Sequence, residues 1–420
     1  MELTATKMAP PFRLVAKYFI AAVCFFVLLC GTFAFNWQDI HGFYFQTKLL
    51  AITHLATLGW ITMTIFGAMF QLVPVVLEVP LWSARLAEWQ FWIYLTGVLG
   101  LVIGFWGALW GSHMDGSAGF LLIAGYAFIW NMIQTMRRVK QWNVTGYFLV
   151  AGLIYFFLVI SLGATLAVNL GHPFLVRSHL EYLKIHADLG LVGWVLMIIM
   201  GVGLKLIPMF TISHGYSERF AWGAFVLINA GLLGIVLDNV IFADETFLPL
   251  FLALVALGIL SYLFQIVLIF RHRLRKAVDV AMKHVVLSFT CLFLVLAVAV
   301  AIALDPVSPE LHDRLTLLYG FLALFGVISS LIIGQMYKIV PFLVWLERYA
   351  PLAGTASVPT MKDLVHVPVA RIEFALLSLG IASVAVGIFG AWQPLVGVGG
   401  FLLFAASLLF GYNIIHVFRR

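Results

Sequence analysis

The sequence predicts an all-α polytopic membrane protein with twelve transmembrane helices, built as three repeats of four. Of its 420 residues, 63% are hydrophobic and only 10% are charged, which excludes a water-soluble globule with an ordinary polar surface. Twelve apolar stretches are long enough to cross a bilayer, which takes about 20 residues in an α-helix. They lack the period-two alternation of a membrane β-barrel, so helices that satisfy their own backbone polar groups are expected.

The twelve spans follow one another without a long polar segment between them. In chain order they cover residues 15–35, 48–77, 89–111, 117–136, 145–169, 183–211, 219–241, 247–270, 281–303, 312–345, 371–390 and 395–417. The longest polar connection, residues 346–370, is too short for a core of its own, so residues 1–420 are expected to form a single membrane domain. The first apolar run has no small-residue cleavage site and is expected to remain as a span.

Lys and Arg are distributed unevenly between alternate loops. If the N-terminus and every second loop share one side, that side holds 18 of the 24 Lys and Arg and the opposite side holds four, with Lys205 and Lys338 inside spans. The positive-inside rule then predicts that both termini are cytoplasmic. The net charge of +6 therefore indicates membrane topology, with a bacterial inner membrane as the expected location, and no nucleic-acid partner is expected.

A short pattern recurs on every fourth span. It reads GAMFQLVP, GVGLKLIP and GQMYKIVP, ending at Pro74, Pro208 and Pro341, which are 134 and 133 residues apart. These offsets predict threefold internal repetition, with four helices in each of residues 10–140, 141–275 and 276–420. The glycines predict close helix packing, and the prolines are expected to mark the cytoplasmic ends of spans 2, 6 and 10.

The opposite ends of these three spans carry ionisable residues. Twenty residues before the proline, span 2 has His54 and span 6 has Asp188; two positions earlier, span 6 has His186 and span 10 has Tyr319. Two positions on a helix point about 200° apart, so helices around a pseudo-threefold axis would bring His54 and His186 to face each other. A histidine inside a span is costly, which favours a bound metal, a haem or a proton relay. Hydrogen bonding to a neighbouring helix is the alternative.

The other ionisable residues are expected to have interfacial or loop positions. His284, at the start of span 9, belongs to this group. Among the acids, Asp188 is the strong candidate for a buried carboxylate, and Asp238 lies close to a span end. The three cysteines lie inside spans and have no metal-ligand spacing, so neither a disulfide framework nor a cysteine metal site is expected.

Two of these spans resemble a known family. HLATLGW, starting at His54 and followed by GAMFQLVP, resembles the haem-ligating helices of subunit I of the haem-copper oxidase superfamily, especially cbb-type oxidases and nitric oxide reductases. YGFLALFGV, starting at Tyr319, is similar to the nitric oxide reductase version of the tenth helix. The resemblance implies twelve spans in three pseudo-threefold-related arcs of four, and it places the haem ligand of the second helix at His54.

The chain departs from the ligand set of that family. The two haem-binding histidines of the tenth helix correspond to Tyr319 and Phe321, and residues 219–241 lack the histidine pair that a copper site needs. The resemblance therefore implies a degenerate member without a three-histidine copper site or oxygen reduction. What it leaves is one haem b, six-coordinate between His54 and His186, with Tyr319 and Asp188 as further cofactor-binding residues.

Three functions remain open at this point. A haem protein would transfer electrons or bind a diatomic gas such as NO or O2, with a respiratory redox partner or a second subunit. A haem-free transporter would use His54, His186 and Asp188 to pass a metal ion or a proton. A structural partner in a respiratory assembly would need neither haem nor metal. All three share the lipid bilayer as their environment.

Overall fold

The chain is an all-helical polytopic membrane protein. The structure, a computed structural model, describes residues 10–242, 246–275, 278–303 and 308–420, and it contains no β-strand in those ranges. Twelve helices in them are long and apolar enough to cross a membrane, which confirms the predicted span count. They are α1 (Phe12–Phe35), α2 (Thr47–Val76), α3 (Ala84–Gly107), α4 (Ser112–Met136), α5 (Val144–Gly171), α6 (His179–Thr211), α7 (Arg219–Val240), α8 (Leu248–Arg271), α9 (Val280–Ala303), α10 (Pro309–Arg348), α11 (Val367–Phe389) and α12 (Gln393–Arg419).

Polar side chains fix where several of these helices begin. Asn143 accepts a hydrogen bond from the Gly146 amide at the start of α5, and Ser178 and Ser308 cap the starts of α6 and α10 in the same way. Such caps satisfy backbone donors that have no partner within the helix. At its other end α6 stops at Ile212, whose φ of 52° lies in the left-handed region and cannot continue the helix.

The helices α2, α6 and α10 each contain a π-helical segment of eight residues. These segments are Leu55–Thr62, Leu189–Leu196 and Leu322–Ser329. Each begins 19 residues before the proline of its own helix and ends 12 residues before it. π-helical turns are rare and are frequent at functional sites. Their recurrence at one register supports the repeated unit that the sequence predicts.

The prolines of the repeated pattern lie inside the helices. The helix continues two residues beyond Pro74 in α2 and three beyond Pro208 in α6, but seven beyond Pro341 in α10. Pro74 and Pro208 therefore lie within one turn of the ends of α2 and α6, close to the predicted position. The prediction that Pro341 marks the end of its span is wrong, since α10 continues beyond it. The extra turns of α10 persist because Leu343 and Val344 are buried in the protein.

The repeated glycines receive side chains from α1, α5 and α9. At the first glycine the contacting pairs are Phe25 with Gly59, Tyr155 with Gly193, and Cys291 with Gly326. Seven residues earlier on the same three helices, the pairs are Tyr18 with Gly67, Phe148 with Gly201, and His284 with Gly334. A Cβ at any of these six glycines would lie only 2.6–3.0 Å from its nearest neighbouring atom. Close packing of this kind stabilises helix pairs in lipid, where the hydrophobic effect between helices is absent.

The described chain divides into two compact units. Unit A comprises Pro11–Ala68, Phe105–Ala108 and Val278–Arg420. Unit B comprises Met69–Gly104 and the described part of Leu109–Ala277. Each unit contains at least one of the π-helical segments, so each has its own copy of the repeated local geometry.

A tryptophan of a π-helical segment lies in the aromatic core of each unit. In unit A, Trp60 stacks on Phe26 of α1 at 4.6 Å between ring centroids, and Phe410 of α12 meets both rings edge-on. In unit B, Trp194 stacks on Phe156 of α5 at 4.2 Å, and Phe128 of α4 meets both rings edge-on. Such ring pairs contribute about 0.5–1.5 kcal/mol each beyond the area they bury.

Candidate functional site

The imidazole of His54 is held on two sides. His54 is the last residue before the π-helical segment of α2, and its Nδ1 lies 2.8 Å from the Leu50 carbonyl oxygen one turn earlier. Its ring stacks on Phe105 of α3 at 4.7 Å between centroids and 23° between planes. A carbonyl oxygen only accepts, so Nδ1 carries the hydrogen and Nε2 carries the lone pair. A histidine whose other ring nitrogen donates to a backbone carbonyl is the usual arrangement of a metal ligand.

The imidazole of His186 packs closely on α5. A Cβ at Gly163 would lie 2.8 Å from Cε1 of His186, so the absence of a side chain at Gly163 permits this approach. Asp188 is half-buried and directly precedes the π-helical segment of α6, the position that His54 has in α2. His54 belongs to unit A and His186 to unit B, and their pairing stays a prediction of the sequence.

An aromatic cluster occupies the corresponding position of α10. Phe321 directly precedes the π-helical segment, as His54 does in α2. Its ring lies 5.9 Å from the ring of Phe33 in α1 and stacks on Phe325 at 5.1 Å. Tyr319, two residues earlier, is half-buried. The Phe321 ring therefore occupies a position that is a histidine in the family that the sequence resembles. The role of Tyr319 stays a prediction.

A buried hydrogen bond joins the π-helical segments of α2 and α10 within unit A. The indole nitrogen of Trp60 donates to the Ser329 hydroxyl at 3.0 Å, and that hydroxyl donates to the Leu324 carbonyl at 2.7 Å. Trp60 lies six residues beyond His54 on α2. The bond therefore fixes the part of α2 that carries His54 against α10.

The described residues contain no group of three or more His, Cys, Asp or Glu side chains arranged to hold a metal ion. A metal ion at His54 would therefore need further ligands other than the His, Cys, Asp and Glu side chains of the described residues. A porphyrin supplies four equatorial nitrogens and needs only axial protein ligands.

Unit A also contains a buried polar cluster that the sequence analysis did not predict. His284 of α9 and Glu373 of α11 are both 0% exposed, with 3.1 Å between Nε2 and Oε2. The hydroxyl of Tyr337 in α10 donates to the same carboxylate oxygen at 3.3 Å. The expectation that His284 is solvated at the interface is wrong, because its side chain is fully buried where α9 packs closely on Gly334 of α10.

The expectation of Asp188 as the one strong buried acid is also wrong. Besides Glu373, Asp238 of α7 is 0% exposed, and neither of its carboxylate oxygens has a hydrogen-bond partner among the described residues. Two sequence signals could have identified the cluster. Glu373 is the one acid in residues 371–390, and His284 precedes Cys291 by seven residues, the spacing that separates Tyr18 from Phe25.

A scan of protein-family models and a search of curated proteins by sequence gave no match to the chain. The resemblance to haem-copper oxidases is therefore a hypothesis that depends on residues such as His54 and on the twelve-helix architecture.

Proposed function

We propose that the chain is a membrane cytochrome related to subunit I of haem-copper oxidases and that it binds one haem b through His54. The observation that carries the proposal is the position of the His54 ring, which the Leu50 carbonyl and the Phe105 ring hold directly before the π-helical segment of α2. A bound haem b would supply an iron that accepts and returns one electron or binds a diatomic gas. Oxygen reduction is not part of the proposal.

The second axial ligand in this proposal is His186, as the sequence predicts. Two neutral imidazoles give a six-coordinate, low-spin iron suited to electron transfer. Binding of NO or O2 would require that one of the two imidazoles be displaced. Gly163 supports a role for His186 at a fixed position, because a larger residue there would push the ring away from α5.

The membrane orientation is part of the same proposal. The excess of Lys and Arg on one side favours cytoplasmic termini in a bacterial inner membrane. His54 and His186 would then lie near the outer face, within reach of an extracytoplasmic redox partner or a second subunit.

The proposal is tested by reduced-minus-oxidised spectra of the purified chain and of single variants. His54→Ala and His186→Ala should each abolish the low-spin haem signal or convert it to high spin. His41→Ala is the matched control, since His41 is exposed and is not among the predicted ligands. Wild-type spectra in both ligand variants would overturn the ligand pair.

A haem-free transporter of a metal ion or a proton is the second candidate. The buried carboxylate of Asp238 favours it, because it has no hydrogen-bond partner among the described residues and an ionisable group inside a span commonly marks an ion pathway. Purified protein that contains copper or zinc and shows no haem bands would support this candidate against the cytochrome.

A further inference from the structure

The buried cluster of His284, Glu373 and Tyr337 has an unusual hydrogen-bond inventory. Oε2 of Glu373 accepts from the Tyr337 hydroxyl and lies 3.1 Å from Nε2 of His284. The remaining polar atoms, Nδ1 of His284 and Oε1 of Glu373, are buried and have no hydrogen-bond partner among the described residues. Buried polar atoms without partners are uncommon in native proteins and call for an explanation.

Counting protons gives the charge of the cluster. If Nε2 of His284 donates to an ionised Glu373, the cluster has a net charge of −1 and its two unpartnered atoms are both bare acceptors. An uncompensated charge inside a membrane span is strongly unfavourable. One added proton, on Nδ1 of the ring or on Oε1 of the carboxyl group, makes the cluster neutral. The basic atoms that would receive it are the two that have no other partner.

The other two copies of the repeated pattern do not contain the residues of this cluster. The positions that correspond to His284 on the glycine-facing side of α1 and α5 are Tyr18 and Phe148. The position four residues before the proline is Tyr337 in α10 but Phe70 in α2 and Leu204 in α6. The other two copies therefore fill these places with residues that supply no base, which indicates that the third copy has a chemical role of its own.

A partly exposed ion pair lies at the end of unit A where α9 begins. Asp279 immediately precedes α9 and forms an ion pair with Lys338 of α10, the residue after Tyr337. Asp279 lies five residues before His284, about 7 Å along a helix axis. Both members of the pair are partly exposed, whereas His284 and Glu373 are not. The pair is therefore a partly exposed ionisable group that is close in sequence to both His284 and Tyr337.

The other ionisable groups near the cluster point away from it or lie at the surface. Lys283 on α9 and Arg371 on α11 are exposed, as is Tyr412 on α12. His416 of α12 is half-buried and lies beside Tyr412 and His366. The Phe374 ring meets the His284 ring edge-on at 4.9 Å between centroids, and the buried side chain of Asn413 in α12 is hydrogen-bonded to Tyr337. The negative charge of the unprotonated cluster therefore has no buried cation beside it among the described residues.

We propose that His284, Glu373 and Tyr337 form a proton-binding site that takes up and releases one proton through the end of unit A marked by Asp279 and Lys338. The site is distinct from the proposed haem and does not depend on it. The transfer is a simple proton exchange with water, in which no covalent bond between heavy atoms changes and no electron is required.

The test is infrared difference spectroscopy of the full-length protein between acidic and alkaline pH, in lipid nanodiscs. The wild type should show one buried group gaining a proton, seen as a carboxylic acid band or as an imidazolium band of labelled histidine. The band should shift in deuterium oxide, which shows exchange with water. Glu373→Gln should remove it, while Glu347→Gln, at an exposed acid later in α10, should leave it unchanged.

Tyr337→Phe keeps the ring volume and serves if Glu373→Gln does not fold. It removes one hydrogen bond to Oε2 and should shift the frequency of the band without abolishing it. Asp279→Asn should slow the exchange with deuterium oxide. The proposal is overturned if no such band titrates in the wild type, if the band survives in Glu373→Gln, if Tyr337→Phe leaves its frequency unchanged, or if it does not respond to deuterium oxide. Stoichiometric zinc that is lost in His284→Gln would also overturn it, in favour of a metal site.

Discussion

The two best-defined histidines of unit A differ in what surrounds them. The Nδ1 of His54 donates to a carbonyl of its own helix, and its ring stacks on a phenylalanine. His284 instead lies beside a carboxylate and a tyrosine hydroxyl, all buried. These different surroundings are the reason that we propose metal ligation for His54 and proton binding for His284.

The hydrogen bond between Trp60 and Ser329 should contribute measurably to stability. Ser329→Ala leaves the indole N–H of Trp60 buried without a partner, which costs about 1–3 kcal/mol. Denaturation in detergent would measure the loss. Ser378→Ala is the control, since that hydroxyl donates to the Phe374 carbonyl of its own helix. Equal losses in the two variants would show that the bond between α2 and α10 contributes nothing specific.

At the scale of the helix, the recurring element is a π-helical segment set against a close helix contact. In α2, α6 and α10 the segment carries the first repeated glycine, and α1, α5 or α9 packs a side chain onto it. An aromatic side chain fills this contact in α1 and α5 and a cysteine fills it in α9. The contacting side chain on α1, α5 or α9 therefore differs among the three copies, whereas a Cβ at the glycine would lie 3.0 Å or less from it in each copy.

Gly193→Ala should destabilise unit B. The new Cβ would lie 2.6 Å from Cγ of Tyr155, and that ring cannot move freely because its hydroxyl donates to Asn229 at 2.8 Å. Overpacking of this kind costs about 1–3 kcal/mol. The thermal midpoint of the purified protein should therefore fall. Gly116→Ala is the matched control, because its Cβ would meet nothing within 4 Å, and an unchanged midpoint in Gly193→Ala would contradict the packing.

Most of the helices, but few of the polar contacts inside them, can be predicted from the sequence. Apolar length alone identifies all twelve spans, and the Gly and Pro spacing identifies α2, α6 and α10 as related. The π-helical segments cannot be predicted from the sequence, because π-helical and α-helical turns use the same residue types. Glu373 and His284 escape because each lies near a charged residue at the start of its span, and only the packing of α9 on Gly334 turns His284 inward.

At the scale of the whole molecule, the distribution of charge predicts how the chain crosses the membrane. Val176, between α5 and α6, is 99% exposed, and Leu274, between α8 and α9, is 71% exposed. In a background with Cys24, Cys30 and Cys291 replaced by Ala, an impermeant maleimide should label Val176→Cys in intact cells. It should label Leu274→Cys only after permeabilisation. The reverse pattern would contradict cytoplasmic termini.

The haem content of the purified wild-type protein is the most direct measurement of the proposed function. Extraction and quantification of haem against protein, after expression with adequate iron and haem precursor, should give one haem b per chain. His41→Ala should retain that ratio and the low-spin spectrum, and His54→Ala should either lose the haem or hold it in a high-spin form. A wild-type protein that is folded, stable and free of haem under these conditions would contradict the proposal that His54 is a haem ligand.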